Sequence, residues 1–214
     1  TGSFTFARRE VLVRPGIRLK THWFREAAPR DPEQIANALS STIWRSADVR
    51  LKNLRNGRFE IAAGQDYLLV LAELLCLMIV IADRIAYRHD PGQWRERFTT
   101  ALTVRIAELL QDSFDDLLGP IPDGYRARFI DRVNRRADEY ADCGFDQQGP
   151  DFGMLRIFGN HLTEAMSDPD DRRWAPDQAM TVEGPECAEV VVKAMRGLLG
   201  IDPKPVRRAG QAGE

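Results

Sequence analysis

Wound as a helix, the run from Gln65 to Arg88 brings Asp66, Glu73 and Arg84 within about 20° of one another around the axis. The rest of that run is apolar, with LLVLAELLCLMIVIA surrounding Glu73. A carboxylate inside such a helix costs several kcal/mol unless it is paired or neutralised. If this helix and the next form a hairpin about Asp90, facing residue numbers sum to twice that of the turn. This register predicts Glu73 against Arg105, Asp83 against Arg97, and Arg84 against Glu96. Two chemistries follow. One is a ladder of ion pairs that fixes helix register. The other is a charged pocket that holds a polar ligand or moves a proton, with Glu73, Asp83, Arg84, Arg105 and His89 as its binding residues. Buried ion pairs of purely structural purpose also perturb carboxylates, so the ladder is the favoured reading.

Other residue types with reactive potential are scattered. His89 falls near the end of the same helix, where an imidazole suits the negative end of the dipole. His161 and Glu164 form HxxE, the reverse of the ExxH order that bundle di-iron sites use twice, so no metal is assigned and no cofactor is implied. Asp112, Asp115 and Asp116 crowd a helix end in DxxDD order and read as a solvated acidic patch. Arg128, Arg132, Arg135 and Arg136 share one face of a later helix and are the phosphate-binding candidates. Asp131, Asp138, Glu139 and Asp142 are interleaved with them, which argues for a salt-bridged surface and against a nucleic-acid track. GxSxG, GxxxxGK[ST] and GxGxxG are absent from the sequence.

The elements that position these residues are helices. Asp31-Pro32-Glu33 is a helix start, and the helix should run to about Asn53 with Ile35, Leu39, Ile43 and Val49 on one face. Further helices are expected from Gln65 to Arg88, Pro91 to Leu118, Asp123 to Asp142, Asp151 to Met166, and Gly184 to Leu199. Residues 167–181 read as a long polar loop, a potential lid. Residues 1–30 are expected to form an N-terminal arm, either extended or folded as a short β-hairpin about Pro15-Gly16. Residues 201–214 are a loose tail. The expected fold is all-α: six helices in an antiparallel, bundle-like single domain over residues 31–200, packed around the apolar helix 65–88.

The chain has 214 residues and a mass of 24.3 kDa, large enough for a real core. Its 30 basic residues meet 32 acidic ones, and the net charge of −2 weighs against broad binding to nucleic acid. By count, 26 of the basic residues are Arg, which reads as GC-rich bacterial codon usage. Three cysteines of odd number and wide spacing fit reduced thiols in a cytoplasm. The longest apolar run is too short, and carries Glu73, so no membrane span is expected. These features favour a bacterial cytoplasmic module that binds another protein and forms a homodimer. The alternative is a helical ligand-binding protein or enzyme that takes a small molecule in the charged pocket. Nucleic-acid binding through the helix of Arg128 to Arg136 is a weaker third reading.

Overall fold

The computed structural model describes residues 31–201 apart from 58 and 63. The expected N-terminal hairpin and the tail beyond 201 lie outside the described residues. In chain order the elements are α1 (Pro32–Asn56), α2 (Gln65–His89), α3 (Gln93–Leu118), α4 (Tyr125–Glu139), β1 (Phe145–Asp146), β2 (Gly149–Pro150), α5 (Phe152–Glu164), α6 (Pro169–Gln178) and α7 (Gly184–Leu199). A π-helical turn, Ala179–Glu183, joins α6 to α7 without a break. The result is six helical rods, as the sequence implies. A two-residue antiparallel hairpin sits between α4 and α5, with Phe145 opposite Pro150.

The centre of the molecule is α2. Its residues from Val70 to Ala82 are all buried, Glu73 included. Helices α1, α3, α4, α5 and α7 all pack on it. A helix that is apolar all round has no solvent face to offer and must be enclosed. On α1 the inward stripe is Ile35, Leu39, Ile43, Ala47, Leu51 and Leu54. Val49, expected on that stripe, is 46% exposed, because a stripe continuing at every fourth residue from Ile43 passes through Ala47 instead.

Two side-chain contacts fix the α2–α3 hairpin. Arg95 grips Asp83 with two hydrogen bonds of 2.8 and 2.7 Å, and the Thr99 hydroxyl donates to Asp83 at 2.6 Å. Asp83 thus faces the level of α3 that the hairpin register demands, but meets the residues either side of Arg97. Arg97 lies on the other flank of α3 and bonds Glu33 and Asp31 of α1. The expected axial register therefore holds, whereas the rotation of α3 about its axis differs.

The segment 167–181 is not a loop. Asp168 caps α6 by accepting from the backbone N–H groups of Asp170 and Asp171 at 2.9 and 3.0 Å, and Pro169 occupies the first turn. Two further prolines, Pro176 and Pro185, would ordinarily break the run. Pro176 is carried inside α6, and the π turn accommodates Pro185: Gly184 N–H reaches back five residues to Ala179 O, just ahead of it. Small residues let the neighbouring helix approach. A Cβ on Gly184 would stand 2.5 Å from Leu155 Cδ2 and 2.9 Å from Ala179 O. Replacing Gly184 with Ala should cost about 1–3 kcal/mol by overpacking, seen as a lowered urea midpoint with an unchanged slope. An unchanged midpoint would mean that α5 and the π turn can separate freely.

Candidate functional site

The buried acid Glu73 is bound by α4. Arg136 donates to it through Nε at 2.8 Å and Nη2 at 2.9 Å, and Arg132 Nη1 donates to the same carboxylate at 2.5 Å. Spaced four residues apart, Arg132 and Arg136 stand on one face of α4 and reach Glu73 together. Arg105, the expected partner, points outward and pairs with Glu108. Burial pushes the Glu73 carboxyl up, but the hydrogen bonds and charges of Arg136 and Arg132 outweigh it and hold it below the usual carboxylate range. The pairing continues outward. Arg136 Nη1 contacts both oxygens of Glu139 at 3.0 and 2.9 Å. His161 Nε2 on α5 lies 2.5 Å from Glu139, and its Nδ1 lies 3.3 Å from Glu164. A continuous polar chain thus runs from the core to the surface.

Sequence patterning could not show this docking. Amphipathicity places Arg136 opposite the apolar face of α4, but it is buried along with Tyr125, Phe129 and Val133. Ile130 is only half-buried, and Ala137 and Ala141 are exposed. Glu73 has rotated α4 toward its arginines. Of the four candidate phosphate ligands, Arg128 pairs with Asp123, and Arg132 and Arg136 pair with Glu73. Only Arg135 has no acidic partner within ion-pair distance among the described residues.

The other candidates also separate. Arg84 donates to two backbone carbonyls at the end of α4, Tyr140 O at 2.6 Å and Ala141 O at 3.1 Å. It does not meet Glu96. His89 packs its ring edge on Trp94, with centroids 5.0 Å apart. Asp66 accepts from the Ser167 hydroxyl at 2.8 Å. Cys76 is fully buried, and burial raises its thiol pKa well above the ordinary value. No cluster of three or more His, Cys, Asp or Glu suited to a metal ion occurs among the described residues.

A second buried acid was not singled out in the sequence. Glu183, in the π turn, is 1% exposed. It accepts from Gln178 Nε2 at 3.0 Å, and Arg50 stands 4.0 Å from its other oxygen. Arg50 also pairs with Glu186. Burial raises the Glu183 pKa, and Gln178 and Arg50 only partly offset the rise. The wide turn at 179–183 aims this side chain inward.

Two open clefts flank α4. One, about 490 Å³, lies between α2, α3 and α4, is walled by Ile79, Val80, Val104, Ile130 and Val133, and ends at Asp83, Arg84 and Arg95. The other, about 340 Å³, lies at the opposite end, where Gln65, Arg128 and Arg132 rim an apolar wall. Neither cleft is lined by both Glu73 and Arg105. Comparison with known proteins gives no match to a family model, a curated protein or a solved structure.

Glu73 and Glu183, the two most deeply buried acids among the described residues, should respond to mutation in opposite ways. Glu73→Gln leaves two arginines facing a neutral group and should cost about 3–5 kcal/mol, whereas Glu73→Met combined with Arg132→Met and Arg136→Met should return most of it. Chemical denaturation of both variants checks this, and an additive triple variant would refute the coupling. Glu73 titrates lower in the folded state than in the unfolded state. Its stabilisation is complete above the ordinary carboxylate range and is lost as pH falls through the lowered folded value. Glu183 has the opposite sign. Its contribution is complete below the ordinary value and is lost as pH rises through the raised folded value. Glu183→Gln should therefore gain on the native protein as pH rises from the ordinary carboxylate range through the raised folded value, measured as the difference in Tm. A difference that does not vary with pH would contradict it.

Proposed function

We propose that the protein acts by binding another protein, whose amphipathic helix occupies the cleft between α2, α3 and α4. The observation that carries this reading is the cleft itself: an apolar floor between two helices, beside charged groups that are already satisfied. A groove of this form takes the apolar face of a helix. At the end of the cleft, Asp83 is fully engaged by Arg95 and Thr99, so it offers no free carboxylate for proton transfer. The guanidinium of Arg84 bonds to neutral carbonyl oxygens, which leaves its positive charge for an acidic residue of the partner. Tyr87 is 54% exposed at the same end, with the Arg95 guanidinium 5.1 Å from its ring centroid. Exposed Tyr and Arg at a groove end are common anchors of protein interfaces.

The charged pocket read around Glu73, Asp83, Arg84 and Arg105 has less support. Those four side chains bond to four separate sets of partners. Cys76, Cys143 and Cys187 are free thiols, which fits a reducing compartment, and we assign the protein to the bacterial cytoplasm. No helix among the described residues is long and apolar enough to cross a membrane.

The test is site-specific photo-crosslinking from Ala137, which is exposed on the cleft wall. The crosslinked peptide should be an amphipathic helix with an acidic residue near one end. Made synthetically, it should bind the purified chain saturably, and Ala137→Arg should weaken it by at least about tenfold. A crosslink to a second copy, with a dimer mass in sedimentation, would replace this reading with the homodimer. Peptide binding unchanged by Ala137→Arg would place the interface elsewhere.

A further inference from the structure

The smaller cleft lies on the far side of the Glu73 network from the proposed partner groove. Its walls are hydrocarbon: Leu68, Leu69 and Ala72 from α2, Leu110 from α3, and Phe129 from α4. Its polar groups are confined to Gln65, Tyr125, Arg128 and Arg132. Tyr125 is already committed, donating to Gly119 O at 3.1 Å, which pins the turn before α4. Leu118 lines the cleft while remaining 43% exposed, and Leu117 beside it is 56% exposed. An apolar cavity with a few polar groups at one edge is the usual form of a small-molecule site.

We infer that this cleft binds an amphiphilic carboxylate, with its hydrocarbon chain between α2, α3 and α4 and its head group on Arg128 and Arg132. Both arginines retain donors for it. Arg132 gives only Nη1 to Glu73, which leaves Nε and Nη2 without a protein partner among the described residues. Arg128 gives only Nη2, to Asp123, at 3.1 Å. That pair is well exposed, at 59% and 72%. Pairs of this kind contribute little, so an anion held partly out of water can displace Asp123. The Glu73–Arg132 bond differs. It is fixed from the core side and holds the guanidinium at the cleft before any ligand arrives, so the ligand need not order it. The cleft volume of 340 Å³, at about 30 Å³ for each water-sized unit, suits a chain of about ten carbons.

The experiment is calorimetric titration of the full chain with decanoate, with decanol and decyl phosphate as comparison ligands. Decanoate should bind saturably at one site per chain, and decanol, which lacks the charge, should bind at least about tenfold more weakly. Leu118→Glu, at the exposed mouth, and Arg128→Glu should each weaken decanoate by a similar factor. Both positions are on the surface, and a native melting profile will show that the variants fold. Leu69→Trp, which fills the cleft, should abolish binding. Binding of decyl phosphate tighter than that of decanoate would overturn the assignment of a carboxylate head group. Decanol binding as tightly as decanoate would overturn the assignment of the head group to the arginines. Decanoate binding unaffected by Leu118→Glu and Leu69→Trp would overturn the site. No saturable binding would overturn the proposal and leave the cleft to a segment of this chain or to another protein.

Discussion

The Glu73 carboxylate sits where α2 is otherwise enclosed by hydrocarbon, and it stays ionised there because two guanidiniums of α4 reach it together. Much else follows from that requirement. Delivering both arginines holds α4 alongside α2, with Arg84 fastening the far end. It also turns α4 away from its best hydrophobic seat. Ile130 and Ala137 then face an opening where a helix packed on its full apolar face would have closed the gap. The two clefts beside α4 are thus products of one electrostatic constraint. A buried ion pair of this kind does not have to add net stability. Its better-attested use is to select one arrangement among several of similar energy.

The molecule handles its second buried acid differently. Glu73 has its two oxygens spread over two arginines, but Glu183 has one amide donor and a distant guanidinium. Its Oε2 has no hydrogen-bond partner. An under-satisfied buried carboxylate is a destabilising element that the surrounding packing must hold in place. Cys187, buried one turn further along α7, adds no compensating donor of any strength. The α1–α7 contact therefore combines a well-packed apolar seam with a polar flaw, whereas between α2 and α4 the Glu73 carboxylate is satisfied and the buried Tyr140 hydroxyl is the group without a hydrogen-bond partner.

Helix positions were legible in the sequence because capping residues and prolines act locally. Asp31-Pro32, Asp151 and Gly200 mark ends that match the structure closely. The centrality of α2 was legible because an apolar run of that length cannot face water. Side-chain partners were harder. Periodicity gives the axial level of Asp83 on α3, but rotation about the helix axis depends on α1, which takes Arg97 for Glu33 and Asp31. Arg136 was read as solvated because its helix is cleanly amphipathic, and only the three-dimensional position of Glu73 reverses that. The segment from Ser167 to Thr181 misleads because its composition is that of a loop. Asp168-Pro169 carries the same start signal as Asp31-Pro32, but Pro176 and Pro185 mask it, and the π turn that joins α6 to α7 leaves no simple pattern in composition.

The π turn has a further meaning when it is viewed as a count of residues. A single π turn amounts to an α-helix carrying one additional residue, accommodated by widening. Each residue in an α-helix advances the face by about 100°. The widening spares α6 and α7 that rotation, so loss of one residue between Ala179 and Glu183 would let them join as an ordinary helix with both faces kept. The close approach of Pro176 to Gly159 on α5 would then be kept, because only the turn itself has changed. The length of this stretch can therefore change by one residue at the turn, and a chain diverging from this sequence can lose the widening there while α6 keeps its seat on α5.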